Sequence, residues 1–263
     1  MTEKSLTYWN YLKIDELLSL QEPRSNPPEH DEELFIIIHQ VYELWFKLLL
    51  HELDRLKGLL SENNLWDAVA ALKRCRMVMK TLVAQLDILE TLTPMSFMSF
   101  RDRLESASGF QSAQFRELEF VLGHKRPEVL QMHEANEHAH VRLTRRLAER
   151  SVVDHFYDFL QARGCPLPNE LRNKDVAAPT IPNAQVQEGL LRLYHEQPDA
   201  TALLELMTDF DEGLQEWRYR HVKMVERTIG IKTGTGGSEG AIYLRGTLFK
   251  PFFPDLWAIR DRM

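Results

Sequence analysis

Cysteine is scarce in this chain: Cys75 and Cys165 are the only two in 263 residues. Two thiols cannot complete a zinc site by themselves and give no disulfide framework, which points to a reducing, cytoplasmic compartment. No uninterrupted apolar run approaches the about 18 residues of a bilayer span, and the N-terminus lacks the charged-then-apolar order of a signal peptide. A basic excess is missing as well. The net charge of −7 argues against nucleic-acid partners and against binding to acidic membranes. Local basic clusters such as Arg142-Leu-Thr-Arg-Arg146 read as the solvated face of a helix. No stretch alternates apolar and polar residues as a half-buried strand would, and nothing repeats.

What is present is helical periodicity. The pattern predicts an all-α helical bundle, taken as one domain over residues 1–263. Long helices are expected from about Glu29 to Leu60, Leu65 to Glu90 and Asp199 to Ile229, with further helices ending near Gly123 and Arg163 and spanning Ala184–Glu196. Short closing helices are expected at Ala241–Leu248 and Phe253–Arg262. Residues 1–22 hold Tyr8, Trp9, Tyr11 and Leu12, an aromatic terminus suited to docking on its own core or on a neighbouring subunit. Residues 164–183 carry Pro166, Pro168, Pro179 and Pro182 and read as a surface excursion.

Two histidines stand where the stripes call for apolar side chains. Met207, Phe210, Leu214, Trp217, His221 and Met224 step by three and four, and so do Phe35, His39, Tyr42 and Phe46. A buried imidazole needs a hydrogen bond or a metal, since leaving it unpaired costs about 1–3 kcal/mol. Together the two suggest opposite sides of one cavity, and bundle cores commonly hold a haem or a metal. Trp217, Phe35, Phe46, Phe97 and Phe100 could supply flat apolar walls for a haem. A di-metal carboxylate site would need Glu-x-x-His pairs on the buried stripes, which are absent, and this favours haem.

Arg101 lies among Phe97, Phe100 and Phe110, so it faces solvent or awaits an anion. The loop Gly230–Gly240 fails the phosphate-loop order and follows a helix, so it reads as a close-approach or closing loop with Thr235 and Ser238 as donors. His133, His138 and His140 are spaced five and two apart, share no helical face and read as solvated.

Phe35-Ile-Ile-Ile-His39-Gln-Val-Tyr-Glu-Leu-Trp-Phe-Lys47, Ser106-Ala-Ser-Gly-Phe-Gln-Ser112, Arg220-His221-Val222 and Gly234-Thr-Gly-Gly-Ser238 together resemble the tryptophan 2,3-dioxygenase family, from Tyr8 to the C-terminal helix. The resemblance implies an all-α haem b enzyme, ferrous when active. It would insert both atoms of O2 across the C2–C3 bond of the L-tryptophan indole, giving N-formylkynurenine at the head of the kynurenine pathway. It further implies that His221 is the axial iron ligand, with Trp217 and Ser108 near the haem. His39 would meet the indole N–H, Arg101 the substrate carboxylate and Thr235 its ammonium, while Phe35 and Phe97 line the pocket. Tyr8, Tyr11 and Leu12 would reach a neighbouring subunit's site within an intertwined homotetramer, a dimer of dimers. Some members carry Tyr where this chain has Phe97, so a hydroxyl there is missing. A haem enzyme for another indole, or a haem or tryptophan sensor without turnover, would share most of these residues.

Overall fold

Thirteen α-helices and four short 3₁₀ turns, with no strand, make up the described part of the chain: a computed structural model describes residues 5–230, 232, 234 and 240–263. The N-terminal segment holds α1 (Tyr8–Tyr11) and α2 (Ile14–Leu18). Two long helices follow, α3 (His30–Ser61) and α4 (Leu65–Leu89). Shorter ones come next: α5 (Pro94–Arg101), α6 (Ala113–Val121), α7 (Glu137–Ala148), α8 (Val152–Ala162) and α9 (Asn169–Arg172). Then come α10 (Ala184–Glu196), the long α11 (Pro198–Ile229), α12 (Ala241–Arg245) and α13 (Pro254–Ala258).

The spine is a layer of three helices. α4 packs between α11 and α3, and α8 and α6 cover the remaining faces of α3. Leu49, Leu53, Leu56 and Leu60 of α3 share one buried core with Leu72, Met79, Leu82 and Leu86 of α4, the helix it packs against. By length and composition α3 is apolar enough to cross a bilayer, but its apolar stripe is buried against these neighbours. Helix starts follow local chemistry. Asp31, Glu32 and Glu33 occupy the first turn of α3, where the dipole favours negative charge. Thr93 accepts from Ser96 N–H with Pro94 in the first turn of α5, and Ser112 caps α6 the same way.

Three expectations need correction. The helix expected to run on to Arg163 breaks after Ala148, because Ser151 and Asp154 form a reciprocal capping box that starts α8. Lys125, buried, seals the end of α7: its ammonium donates to the carbonyls of Arg146, Leu147 and Glu149 at 2.5, 3.1 and 2.8 Å. The cluster Arg142–Arg146 is not a solvated face throughout, since Arg146 is buried and bonded to Asp54, Glu117 and Glu149. The closing helices are also shorter than expected, with α12 ending at Arg245 and α13 at Ala258 before a 3₁₀ turn.

A cavity between the long helices as candidate active site

Each buried stripe is interrupted at its histidine. On α11, Met207, Phe210, Leu214 and Trp217 are fully buried, whereas His221 and Met224 are only partly so, as Phe35 and His39 are on α3 beside the buried Tyr42 and Phe46. The missing neighbour is a cavity of about 230 Å³. Its walls come from α3, the end of α4, α5, the 3₁₀ turn Gly109–Gln111, α6, α11 and α12. Phe35, His39, Phe97, Arg101, Ser108, Trp217 and His221 all line it. Tyr8, Tyr11 and Leu12 do not; they lie on or beside α1, exposed at 74%, 68% and 42%. Thr235 and Ser238 lie outside the described residues.

The two imidazoles differ in what their nitrogens touch. His39 Nδ1 sits 2.7 Å from the Phe35 carbonyl, one turn back. A carbonyl only accepts, so Nδ1 carries the hydrogen. Burial, opposed by that bond and by Glu43, holds the ring below the ordinary histidine range, so it is neutral. Nε2 therefore turns a lone pair toward the cavity. His221 has no hydrogen-bond partner among the described residues. Its ring stacks on Trp217, centroids 5.1 Å apart and planes 5° apart. Burial first, then His39 and the Arg116 charge, pushes its pKa down to about 4. It is a neutral imidazole, with one nitrogen carrying the hydrogen and the other a lone pair, and neither is engaged among the described residues.

Around Trp217 the walls are aromatic, with Tyr42, Phe46 and Phe115 at 6.2, 6.1 and 5.0 Å. Tyr42 is itself fixed by donating to the Leu82 carbonyl at 2.8 Å. Around His39, Phe35 packs on the imidazole and on Phe97 and Phe100. Phe97 is buried, so the position is an apolar wall without a hydroxyl.

At one end of the cavity the chemistry changes sign. Glu119 accepts from Arg116, Arg126 and Arg218 at 2.6, 2.5 and 3.3 Å. Burial alone would raise its pKa, but the three guanidiniums hold it below the usual carboxylate range. Asp211 lies near Arg218 but is engaged by the Phe252 and Phe253 N–H groups and the Trp257 indole. Arg116 is 4% exposed, lies over the Phe110 and Phe115 rings, and its Nε is buried with no partner among the described residues. A buried guanidinium with spare donors is matched by an anion.

These features fit a haem. An unengaged neutral imidazole can take an axial iron position, apolar walls can flank a flat macrocycle, and spare buried cationic donors can meet its carboxylates. Among the described residues no group of three or more His, Cys, Asp or Glu gathers as a metal cage. His133, His138 and His140 therefore do not converge, and His133 is buried instead of solvated as expected. The sequence alone does not single out Gly109, Arg116, Glu119, Arg218 or Tyr243. All of residues 116–121 in α6 are buried, so its charged residues sit among apolar ones without the two-faced pattern that marks function.

A profile of the family described as Tryptophan 2,3-dioxygenase matches residues 1–142 and 189–263. The chain is 57% identical over 257 residues to the tryptophan 2,3-dioxygenase of Herpetosiphon aurantiacus, covering 98% of both chains. It is 50% identical over 259 residues to that of Anaeromyxobacter sp. (strain K), covering 98% of this chain and 97% of the relative. To that of Saccharopolyspora erythraea it is 43% identical over 263 residues, covering 99% and 94%.

Proposed function

The chain belongs to the tryptophan 2,3-dioxygenase family, and we propose that the cavity between α3 and α11 is where it binds haem b and L-tryptophan. As a member it is a haem-dependent oxidoreductase acting on L-tryptophan and O2. The observation that carries the assignment of roles is the difference between the two imidazoles. His221, neutral and unengaged, is suited to the axial position; His39, tied at Nδ1 and presenting a lone pair at Nε2, is suited to accept the indole N–H.

Haem with ferrous iron supplies, when bound, the redox chemistry with O2 that no side chain offers. The chain's residues bind and orient. Trp217 holds the His221 ring by stacking, and Arg116 and Ser108, both on the cavity wall, would meet the haem's polar groups. Arg101, on the cavity wall at the end of α5, would clamp the substrate carboxylate by a charge-assisted contact, and Thr235 would meet its ammonium. Phe35 and Phe97 would hold the indole against the distal side. A ring fixed at its N–H by His39 and at its carboxylate by Arg101 presents C2 and C3 in one orientation, a large share of what catalysis needs here.

The exposed Tyr8, Tyr11 and Leu12 support the reading that this segment docks on a neighbouring subunit's site, within a homotetramer assembled as a dimer of dimers. Gln21 and Gln40 tie the end of the segment to α3 one residue from His39, so the segment leaves the fold beside the site. Free, buried Cys75 and Cys165 suit a cytoplasmic setting.

The test is an absorption spectrum of the haem-reconstituted protein, reduced under carbon monoxide, without and with L-tryptophan. The expected result is a strong Soret band that shifts on adding L-tryptophan. A band indifferent to L-tryptophan would point to another indole or a sensor, and no haem uptake would overturn the site.

A further inference from the structure

Gly109 opens the 3₁₀ turn Gly109–Gln111, which lines the cavity next to His39. Glycine is usually required where φ is positive or where a backbone passes too close for a side chain. Neither holds. Gly109 is not among the residues with positive φ, and a Cβ placed on it would clash with nothing. That methyl would instead rest 3.8 Å from His39 Nε2 and 3.9 Å from Cδ2, with no other neighbour inside 4 Å. It would occupy the space beside the one ring atom that offers a lone pair to the cavity.

Nor could the turn swing the methyl away. Gln111 N–H donates to the Ser108 carbonyl at 2.9 Å and Ser112 N–H to that of Gly109 at 3.1 Å. The Ser108 hydroxyl accepts from Phe110 N–H. Phe110 is wedged edge-on against Tyr243 at 4.9 Å and lies under the Arg116 guanidinium at 5.0 Å. Tyr243 is fixed in turn by Arg126 at 2.8 Å.

We propose that Gly109 is a specificity-determining residue: its missing side chain leaves the clearance beside His39 Nε2 that the indole ring needs in order to deliver its N–H. The inference rests on the reading of His39 as the indole acceptor. The sequence Ser108-Gly-Phe-Gln111 would otherwise pass as an ordinary capped turn.

The experiment uses the haem-loaded protein and Gly109→Ala, measuring haem content, the carbon-monoxide spectrum, thermal midpoint, and KM and kcat for L-tryptophan. Haem content, spectrum and midpoint should stay at wild-type values while KM rises about tenfold or more, the scale of one misplaced carbon in a fitted pocket. Gly109→Val should raise it further. In a His39→Ala background, where the imidazole no longer confines the space, the Gly109→Ala penalty should shrink at least several-fold. Wild-type KM in Gly109→Ala, an undiminished penalty in the His39→Ala background, or loss of fold or haem on adding the methyl would each overturn the proposal. If the wild-type Soret band ignores L-tryptophan, the underlying reading falls and this one with it, a failure visible before any variant is made.

Discussion

His39 and His221 are one residue type on two matching stripes, and their partners separate their roles. A carbonyl at 2.7 Å fixes the His39 tautomer, while the His221 ring stacks on a parallel indole and has no hydrogen-bond partner among the described residues. Replacing each by alanine should therefore have opposite signatures. His221→Ala is expected to lose most of its haem, read as the haem-to-protein ratio after reconstitution, and its activity with it. His39→Ala is expected to keep a near-wild-type ratio and lose turnover. If His39→Ala emptied the site and His221→Ala did not, the axial and distal roles would be exchanged. Both histidines were legible in the sequence, because an imidazole on an apolar stripe breaks a rule that its neighbours obey. Arg116 was not. It stands in a helix buried on all sides, where a charged residue contradicts no pattern, and its role emerges only from a donor without an acceptor.

Among the elements, the three long helices could be read from their spacing because each buries one stripe over many turns, and their ends fall within a few residues of expectation. The α7–α8 junction was not, because the apolar spacing continues across it and the interruption is written in polar groups far apart in sequence. One is the Ser151–Asp154 capping box; the other is Lys125, 21 residues before the nearest carbonyl it caps. This junction gives a prediction. Lys125→Met leaves three carbonyls at the end of α7 without their ammonium, and a charge-assisted set of this kind is worth about 1.5–3 kcal/mol. The free energy of urea unfolding should fall by about that amount while the Soret spectrum of the reconstituted protein stays unchanged. A variant as stable as wild type would mean that water replaces the lysine at no cost.

At the scale of the molecule, five histidines share one property. Burial holds His39, His124, His133, His155 and His221 below the ordinary value of 6.5, with His124 and His221 at about 4. As pH falls through 6.5 the unfolded chain takes up protons at these positions and the folded chain does not, so stability must drop. Above that value both states are neutral there and nothing changes. The urea midpoint of the haem-free protein should thus decline steadily between about pH 7 and pH 5, and less steeply in His124→Gln, which removes one of the five; a flat or rising midpoint would contradict this. The placement of the core has a separate outcome. Leu49, Leu53, Leu56 and Leu60 belong to the same buried core as Leu72, Phe159 and Leu160, and none of these seven lines the cavity. Part of the scaffold's apolar burial is therefore made away from the site, and haem bound there would add stability in proportion to how tightly it is held.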